Sequence, residues 1–557
     1  MAEPETEGRG FTPRPGIDDW RALLDVPIEK LVVDGVQPLY VEGPAPAVRP
    51  GTGRFGVCMR SDAAHVAEDI DGGADAVWLR ADDREAMRDA AERGARIILD
   101  SATDPGSLRP DAHDREAFRA RFNDLQSRVS GLWAGFDAVD ASVRGWISDD
   151  VLTRDVVFEQ VLRLQRDHVH DPRLKTVCVS GIGFHHAGAD AADEIALMTA
   201  SLVAKLRIAE SRGVDGARIG AELWLQIAVG RDTFGELCKL RALRIVMGKL
   251  LVAAGSDARP PIHAVCSSRT QSQRDPWVNM LRVSTEVFAA ALGGADLITP
   301  LPFDAALGES STHARRVARN TALVLREESH LGRVIDAAGG SYYIESRTDA
   351  LAREAWSRFQ AIERDGGIVT LISSGKLRER LAASWATRTA AIAKRKEPVL
   401  GVSEFANLDE TLPVAATVSA TEQVAHRDGE GFEALRARIE REPARLVALV
   451  TLGAASEHRA RVGFAQALFA TAGLRAREMT LAEAIAATPS IACICGSDER
   501  YATEAVSSAT QLQAIGALKI VLAGRPGALE ADLRAAGVAN FVYIGADVLA
   551  ALTELTS

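Results

Sequence analysis

The 557-residue sequence lacks the features that mark membrane, secreted and nucleic-acid-binding proteins. No uninterrupted apolar run reaches the roughly 18 residues that suggest a transmembrane helix. The net charge is −11 and no sustained basic stripe occurs, which argues against binding to nucleic acid. The first residues, Met1–Glu7, are acidic and polar, so we expect neither a signal peptide nor a transit peptide there. These absences favour a cytoplasmic protein.

Cysteine is also scarce, with 6 residues in the whole chain. Only Cys493 and Cys495 lie close together, in a segment predicted to be a buried strand, and no second Cys/His pair accompanies them. This pattern is typical of reduced core cysteines in a cytosolic protein, and we expect no metal site. A chain of this length exceeds what one core supports, so two or more domains are expected.

Eight short apolar runs alternate with helix-like segments between Arg54 and His330. Most runs are short and bounded by Gly, Asp or Arg, which is typical of parallel strands buried on both faces. The pattern predicts an α/β fold with a (β/α)8 TIM barrel at residues 46–345, and a doubly wound open sheet is the alternative. The runs are Phe55–Met59, Ala76–Leu79, Ile97–Leu99, Leu132–Phe136, Val177–Val179, Ala221–Val229, His263–Cys266 and Ala295–Thr299.

Three further regions flank the barrel. Residues 346–435 are predicted to form a helical segment and a linker. Residues 436–557 alternate again, which predicts a five-strand doubly wound domain, flavodoxin-like in outline. Residues 1–45 are too polar for a core of their own, so we predict an arm that binds a partner, and packing on its own barrel is the alternative. The apolar residues of this arm that need burial are Trp20, Leu23, Leu24, Leu31, Leu39 and Tyr40.

Motifs spread over nearly the whole chain resemble those of the methylmalonyl-CoA mutase family. The resemblance implies a TIM barrel followed by a domain of the cobalamin-binding type. It also implies an assembly that uses adenosylcobalamin to interconvert methylmalonyl-CoA and succinyl-CoA. The motifs include Asp19-Trp20-Arg21, Ser180-Gly181, Ala187-Gly188-Ala189, Lys239-Leu240-Arg241-Ala242, Arg269-Thr270, Ala318-Arg319-Asn320-Thr321 and Gly339-Gly340-Ser341-Tyr342-Tyr343.

The barrel departs from the family where the family keeps its chemistry. A Tyr-His pair follows the Ser-Gly of the fifth-strand loop in the family, but Ile182 and Gly183 stand there in this chain. Neither side chain can donate a hydrogen bond, so the group that would polarise a substrate carbonyl is missing. His185 and His186 could substitute if the loop slid, although the simpler interpretation is that they are ordinary polar residues. We therefore assign no catalytic residue.

Of two other elements of the family's substrate site, one is altered and one is retained. The family has a long substrate-binding loop after the fourth strand, whereas Trp146–Asp150 runs almost directly into the next helix. Arg269 in the seventh-strand loop is retained and could pair with a CoA phosphate. We treat Arg269 as a candidate substrate-binding residue, and a purely structural ion pair is an equal alternative.

The C-terminal domain departs in the same way. Cobalamin-binding domains of this type carry an Asp-x-His-x-x-Gly loop, in which the His ligates cobalt and the Asp orients it. His458 falls on the ligand position, but Ser456 and Arg461 replace the Asp and the Gly, and Glu499 replaces an apolar residue beside the nucleotide tail. We interpret His458 as a vestigial cofactor-binding residue, and a lone surface histidine at a helix start is the alternative. No P-loop, dinucleotide fingerprint or zinc spacing occurs.

The resemblance and these departures together predict a non-catalytic small subunit. Its partner would be the large subunit of methylmalonyl-CoA mutase in a heterodimer, and that partner would carry the adenosylcobalamin, with no cofactor in this chain. One alternative is an active mutase for a different acyl-CoA. The other is a chaperone or regulatory protein that binds the mutase transiently. Cobalamin binding by the isolated chain and co-purification at a 1:1 ratio would separate these possibilities.

Overall fold

The computed structural model contains two α/β units, each built on a parallel sheet. It describes residues 53–80, 83–100, 128–133, 137–143, 171, 173–412, 426–516 and 519–557. The predicted N-terminal arm at 1–45 and the segment Trp146–Asp150 lie outside these residues. Within the described ranges, no helix is both long and apolar enough to cross a membrane.

Nine parallel strands form a sheet that is nearly closed into a barrel. The sheet runs in the order β5-β4-β3-β2-β1-β9-β8-β7-β6, so β5 and β6 stand at its two edges. Thr176 alone separates β5 from β6 along the chain, which brings the two edges together. The strands are β1 (Gly56–Arg60), β2 (Ala76–Arg80), β3 (Arg96–Asp100), β4 (Gly131–Trp133), β5 (Leu174–Lys175), β6 (Val177–Ser180), β7 (Leu223–Val229), β8 (Ile262–Cys266) and β9 (Leu297–Thr299).

All eight predicted apolar runs overlap these strands, with two differences. The fifth strand is interrupted at Thr176, where the backbone N–H donates to the carbonyl of Glu222 at 3.1 Å. The sixth strand begins at Leu223 and not at Ala221, because the preceding residues complete a short helix. The prediction of an α/β chain with a parallel barrel-like sheet is therefore confirmed.

Helices connect these strands and cover the outside of the sheet. Asp190, Asp232 and Ser311 cap the helices that begin at residues 191, 233 and 312, because the side chain of each accepts a hydrogen bond from a backbone N–H of the first turn. Three more helices follow, and the first of them, at residues 342–364, packs against the helices at residues 191–211 and 233–253. The helices are α1 (Val66–Asp71), α2 (Arg84–Glu92), α3 (Ala138–Val143), α4 (Ile182–His186), α5 (Ala191–Ser211), α6 (Gly216–Glu222), α7 (Thr233–Ala253), α8 (Val278–Leu292), α9 (Thr312–Glu327), α10 (Tyr342–Arg364), α11 (Gly367–Ser373) and α12 (Lys376–Ala393).

The second unit is a five-strand parallel sheet with helices on both faces and an apolar core under each layer. Its strands run in the order β11-β10-β12-β13-β14. The last strand was expected at Phe541–Ile544, but it begins earlier and ends before Ile544, which is exposed. The elements are α13 (Glu430–Ile439), β10 (Val447–Thr451), α14 (Ala455–Thr471), β11 (Ala476–Met479), α15 (Leu481–Ala487), β12 (Ile491–Cys495), α16 (Val506–Gln513), β13 (Lys519–Ala523), α17 (Glu530–Ala535), β14 (Val538–Val542) and α18 (Val548–Thr556).

Three indole rings fill the interior of the barrel-like sheet. Trp78, Trp133 and Trp224 are 5%, 6% and 1% exposed. The rings of Trp133 and Trp224 have centroids 5.7 Å apart. The imidazole of His263 lies 5.6 Å from Trp78 and 6.3 Å from Trp224, so it fills the space between them. The interior is therefore a packed core, as is usual for barrels of parallel strands.

Trp224→Ala should destabilise the chain by roughly 3–5 kcal/mol, because it removes the largest fully buried side chain and leaves a cavity. Urea unfolding followed by circular dichroism measures the change. Trp277→Ala is the matched control, since Trp277 is about half exposed, and we expect it to cost about 1 kcal/mol or less. Equal losses from the two variants would contradict a barrel interior held by Trp224.

Candidate functional site

The carboxyl ends of the barrel strands are where parallel barrels bind their ligands, and the loop after β6 lies there. Ile182 belongs to the same buried cluster as the three interior tryptophans. Gly183 is buried as well, and its N–H donates to the Asp140 carboxylate at 2.6 Å. The N–H of Ser180 donates to Asp137, which also pairs with the buried Lys205 at 2.8 Å. In the family that the sequence resembles, these two positions carry Tyr and His. In this chain they hold an apolar core residue and a buried, hydrogen-bonded glycine.

His185 and His186 lie in α4 beside the loop that follows β8. The Nε2 atom of His185 is 2.7 Å from the Ser267 hydroxyl, and that of His186 is 2.9 Å from the Ser268 hydroxyl. Burial lowers the pKa of His185 well below its ordinary value, and the nearby Arg269 lowers it further. His185 is therefore a neutral, buried imidazole and not a surface group.

Arg269 is buried against the backbone of the loop that contains α4. Its Nη1 donates to the carbonyls of His185 at 2.9 Å and Ala189 at 3.1 Å. Burial lowers the pKa of Arg269 to about 10, and the charge of Arg388 acts in the same direction. This geometry favours the structural alternative for Arg269, because two donors already hold the loop in place.

A buried group of charges lies next to Arg269. The Lys239 ammonium is 3.0 Å from the Glu194 carboxylate and 2.6 Å from that of Glu236. Burial opposes the charge of Lys239, but Glu194 and Glu236 outweigh it, so the pKa of Lys239 is raised. A charge as deeply buried as that of Lys239 is tolerated only when it is paired, and Lys239 has two carboxylate partners.

The chain returns to this end of the barrel directly after residues 413–425. The Asp428 side chain is 1% exposed and lies 2.7 Å from both Nε and Nη2 of Arg388, and 3.0 Å from Arg231. The backbone N–H of Asp428 donates to the carbonyl of Arg269 at 2.8 Å. The ring of His426 stacks on Trp385 at 4.5 Å. These contacts hold the segment 426–428 over the carboxyl end of the barrel.

Sequence reasoning did not identify Asp428. Its partners Arg388 and Arg231 lie 40 and 197 residues away, so no local motif marks it. Burial alone would raise the pKa of Asp428, but Arg388 and Arg231 outweigh burial and lower this pKa to about 2.

The second candidate site is the crevice of the five-strand sheet. In doubly wound sheets, ligands bind beyond the carboxyl ends of the strands where the strand order reverses, which is between β10 and β12 here. Arg461 from α14 donates to the carbonyl of Gly496 and to the Asp498 carboxylate, both at 2.5 Å. Its guanidinium lies 4.5 Å from the centre of the Tyr501 ring. The buried Tyr501 hydroxyl donates to the carbonyl of Ala523 at 2.7 Å. We call Arg461, Asp498 and Tyr501 the crevice plug.

His458 lies in the first turn of α14, as predicted for a histidine at a helix start. It is buried, and its Nε2 is 3.1 Å from the carboxylate of Glu478, whose side chain is about half exposed. Ser456 is exposed, and no bond links it to His458 within the described residues. Arg269 lies in the barrel unit and His458 in the five-strand unit, so these two predicted residues do not belong to one site. In the described ranges, no group of three or more His, Cys, Asp or Glu side chains could hold a metal ion.

Comparison with known proteins assigns the family. Residues 158–488 match the model of the methylmalonyl-CoA mutase family. A methylmalonyl-CoA mutase small subunit from Streptomyces virginiae is 36% identical over 517 residues, which cover 88% of this chain and 81% of that protein. The chain belongs to the methylmalonyl-CoA mutase family. The resemblance seen in the sequence is thereby confirmed.

Other members of the methylmalonyl-CoA mutase family match as well. The small subunit from Propionibacterium freudenreichii subsp. shermanii is 30% identical over 531 residues, covering 88% of this chain and 81% of that protein. A methylmalonyl-CoA mutase from Escherichia coli K12 is 30% identical over 262 residues, covering 46% of this chain and 37% of that protein. The relatives named as small subunits thus match over much more of this chain than the Escherichia coli mutase does.

Asp428→Asn should destabilise the chain by on the order of 3 kcal/mol at pH 7, because it removes the buried carboxylate that Arg388 and Arg231 contact most closely. The folded pKa of Asp428 is depressed to about 2, so its stabilisation is complete above the unfolded pKa near 4 and is lost as the pH falls toward 2. The deficit of the variant should therefore shrink by about 2 kcal/mol between pH 4 and pH 2.

Urea unfolding at a series of pH values measures this deficit. Asp349→Asn is the matched control, since Asp349 forms an exposed pair with Arg353, and we expect a cost of about 0.5 kcal/mol or less. A deficit for Asp428→Asn that stays constant down to pH 2 would contradict the role of its carboxylate charge.

Proposed function

We propose that this chain is the non-catalytic small subunit of a heterodimeric, adenosylcobalamin-dependent methylmalonyl-CoA mutase and stabilises the catalytic large subunit. The observation that carries the proposal concerns the two places where such folds bind ligands, the barrel and the crevice of the five-strand sheet. In both, side chains of the chain itself pack where a ligand would lie. Three indoles fill the barrel interior, and in the second sheet the Arg461 guanidinium covers the buried Tyr501 ring at the crevice. The relatives from Streptomyces virginiae and Propionibacterium freudenreichii are both named small subunits, which supports a role beside a larger chain.

The finer fold assignment belongs to the same proposal. Because β5 pairs with β4 and β6 pairs with β7, we treat β5 and β6 as two halves of one strand. The sheet is then a closed (β/α)8 TIM barrel and not an open doubly wound sheet. The strand order of the second sheet is the flavodoxin-like order, which is also the order expected of a cobalamin-binding type of domain.

The cofactor of the family does not fit the described residues of this chain. A cobalt ligand at His458 would have to give up its contact with Glu478, and no described carboxylate stands at Ser456 to orient the ring. The nucleotide tail would have to pass where Arg461 and Tyr501 close the crevice. We therefore place the adenosylcobalamin in the large subunit.

The substrate site is placed in the large subunit for similar reasons. An acyl group at the barrel axis would compete with Trp224 and His263 for the same space. A CoA phosphate at Arg269 would have to reach a residue that is 6% exposed and whose Nη1 already donates to two backbone carbonyls. We assign Arg269 the role of positioning the loop around His185, and we assign no catalytic residue to this chain. All six cysteines are buried and form no disulfide bond, which supports a cytoplasmic location.

The isolated chain should not bind adenosylcobalamin at sub-micromolar concentrations. Loss of the group that orients a metal ligand typically costs about 10–100-fold in affinity, and the crevice plug adds a steric barrier. Titration calorimetry and the cobalamin absorption spectrum measure binding, with the heterodimer as the positive control. Ser456→Asp should not restore binding, because the plug remains. Sub-micromolar binding by the unmodified chain would instead support an active mutase for another acyl-CoA.

Co-expression with a large subunit should give a stable 1:1 complex, and only the complex should form succinyl-CoA. A chain that lacks residues 1–40 should keep its thermal transition but no longer co-purify, because the arm carries the apolar anchors Trp20 and Leu39. Size-exclusion chromatography with light scattering measures the stoichiometry.

Three outcomes would contradict parts of the proposal. Turnover by the chain alone would show that it is catalytic. Sub-stoichiometric, transient binding would support the chaperone or regulatory alternative. A truncated chain that still forms the 1:1 complex would place the interface on the barrel helices.

A further inference from the structure

A buried acid lies on α8, beside the loop that follows β8. The side chain of Glu286 is completely buried, and its Oε2 atom has no hydrogen-bond partner in the part of the chain that the structure describes. Arg282 lies one turn earlier on α8, but its guanidinium donates to Ser272 at 2.8 Å, to Asn279 at 2.6 Å and to the carbonyl of Leu400 at 2.6 Å. A carboxylate buried in this way without a paired cation is costly, which disfavours the ionised form.

The hydrogen bonds of Thr270 locate the proton of this acid. The Oγ1 atom of Thr270 lies 2.8 Å from the carbonyl oxygen of Ser267 and 2.5 Å from Oε1 of Glu286. A hydroxyl group carries one proton and a carbonyl oxygen can only accept, so the threonine proton is used in the bond to Ser267. The proton in the shorter contact then comes from the Glu286 carboxyl, because two oxygens without a proton between them would repel each other at this distance.

The groups around Glu286 agree with a protonated acid. Burial raises the pKa of Glu286 to about 8, and the Glu236 carboxylate on α7 acts in the same direction. The Thr270 hydroxyl, the Cys266 thiol on β8 and the charge of Arg282 oppose burial but do not outweigh it. The folded chain therefore keeps this carboxyl neutral near pH 7.

The loop that Glu286 contacts holds two other parts of the chain. We call residues 267–270 the β8 loop. Ser267 lies 2.7 Å from the buried ring of His185 on α4, and the Arg269 carbonyl accepts the backbone N–H of Asp428 at 2.8 Å. The β8 loop therefore connects α4 with the segment that leads into the second unit.

We propose that Glu286 carries its proton in the folded chain and that this proton fixes the β8 loop, so that the contacts of the loop loosen as the pH rises above neutrality. Ionisation places a negative charge against the lone pairs of Thr270 Oγ1. Thr270 can then keep its bond to Ser267 or donate to Glu286, but it cannot do both with one proton. This pH-sensitive contact belongs to the isolated chain and does not rest on the proposed function.

Glu286→Gln tests the proposal, because a glutamine amide has nearly the shape of the protonated acid, can donate to Thr270 and cannot ionise. In the wild type, the pKa of Glu286 rises from 4.5 to about 8 on folding, so its stabilisation is complete below pH 4.5 and is lost as the pH rises through 8. The unfolding constant of the wild type, relative to that of the variant at the same pH, should rise about tenfold per pH unit in this window.

Tryptophan fluorescence in urea measures this constant for the barrel unit, since residues 426–557 contain no tryptophan. Glu210→Gln is the matched control, because Glu210 is exposed on α5 and the variant should follow the wild type at every pH. A ratio of wild type to Glu286→Gln that stays constant between pH 4.5 and pH 8 would overturn the proposal. A Glu286→Gln chain that is less stable than the wild type throughout this window would overturn it as well.

Two measurements on the wild type do not depend on how the variant folds. The infrared carbonyl band of a protonated carboxyl group, which lies above the amide I band, should be present near neutral pH and disappear with a midpoint near pH 8. Hydrogen exchange followed by mass spectrometry should show that the amides of the β8 loop gain about tenfold more in rate above this midpoint than those of β12. A missing band, or equal gains in the β8 loop and in β12, would overturn the proposal.

Discussion

The described arrangement of the two units depends on the buried carboxylate of Asp428. Two arginines from separate parts of the barrel unit, Arg388 on α12 and Arg231 after β7, converge on this one group. Without the Asp428 carboxylate, the guanidinium groups of Arg388 and Arg231 would lie near Arg269 without their closest counter-charge. Since Asp428 lies two residues before α13, its position also determines where the second unit starts. The Asp428 carboxylate thus pairs with two arginines of the barrel unit, and the same residue lies at the start of the next domain.

Two cations that could hold a ligand instead bond within the chain. Arg461 donates to Gly496 and Asp498, and the Nη1 of Arg269 donates to two backbone carbonyls. A buried polar group without a partner costs free energy, so a site that has lost its ligand becomes more stable when its own side chains take the ligand's place. The same contacts that stabilise the fold therefore occupy groups that could otherwise hold a ligand.

Sequence reasoning predicted the strands well, because fully buried parallel strands are short apolar runs between polar boundaries. It missed the interruption at Thr176, since nothing local distinguishes that residue from its strand neighbours. Trp78 shares a strand face with Ala76, and Trp224 shares one with Ala228, so alternation along each strand could have placed these pairs together. The partnership of Arg461 with Tyr501 and that of Asp428 with Arg231 could not, since these contacts join residues that are distant in sequence.

The motifs that survive in this chain are mostly those that hold the fold. Lys239 pairs with Glu194 at 3.0 Å, Arg241 with Glu345 at 2.6 Å and Arg319 with Asp69 at 2.8 Å, and all three cations are buried. Removing any partner would strand a charge inside the protein at a cost of about 3–5 kcal/mol, whatever the chain does chemically. Ile182 and Gly183 face no such constraint, because an apolar side chain and a glycine pack in the barrel without needing a polar partner. A chain under these constraints can resemble its family over nearly its whole length and still lack the groups that perform the family's reaction.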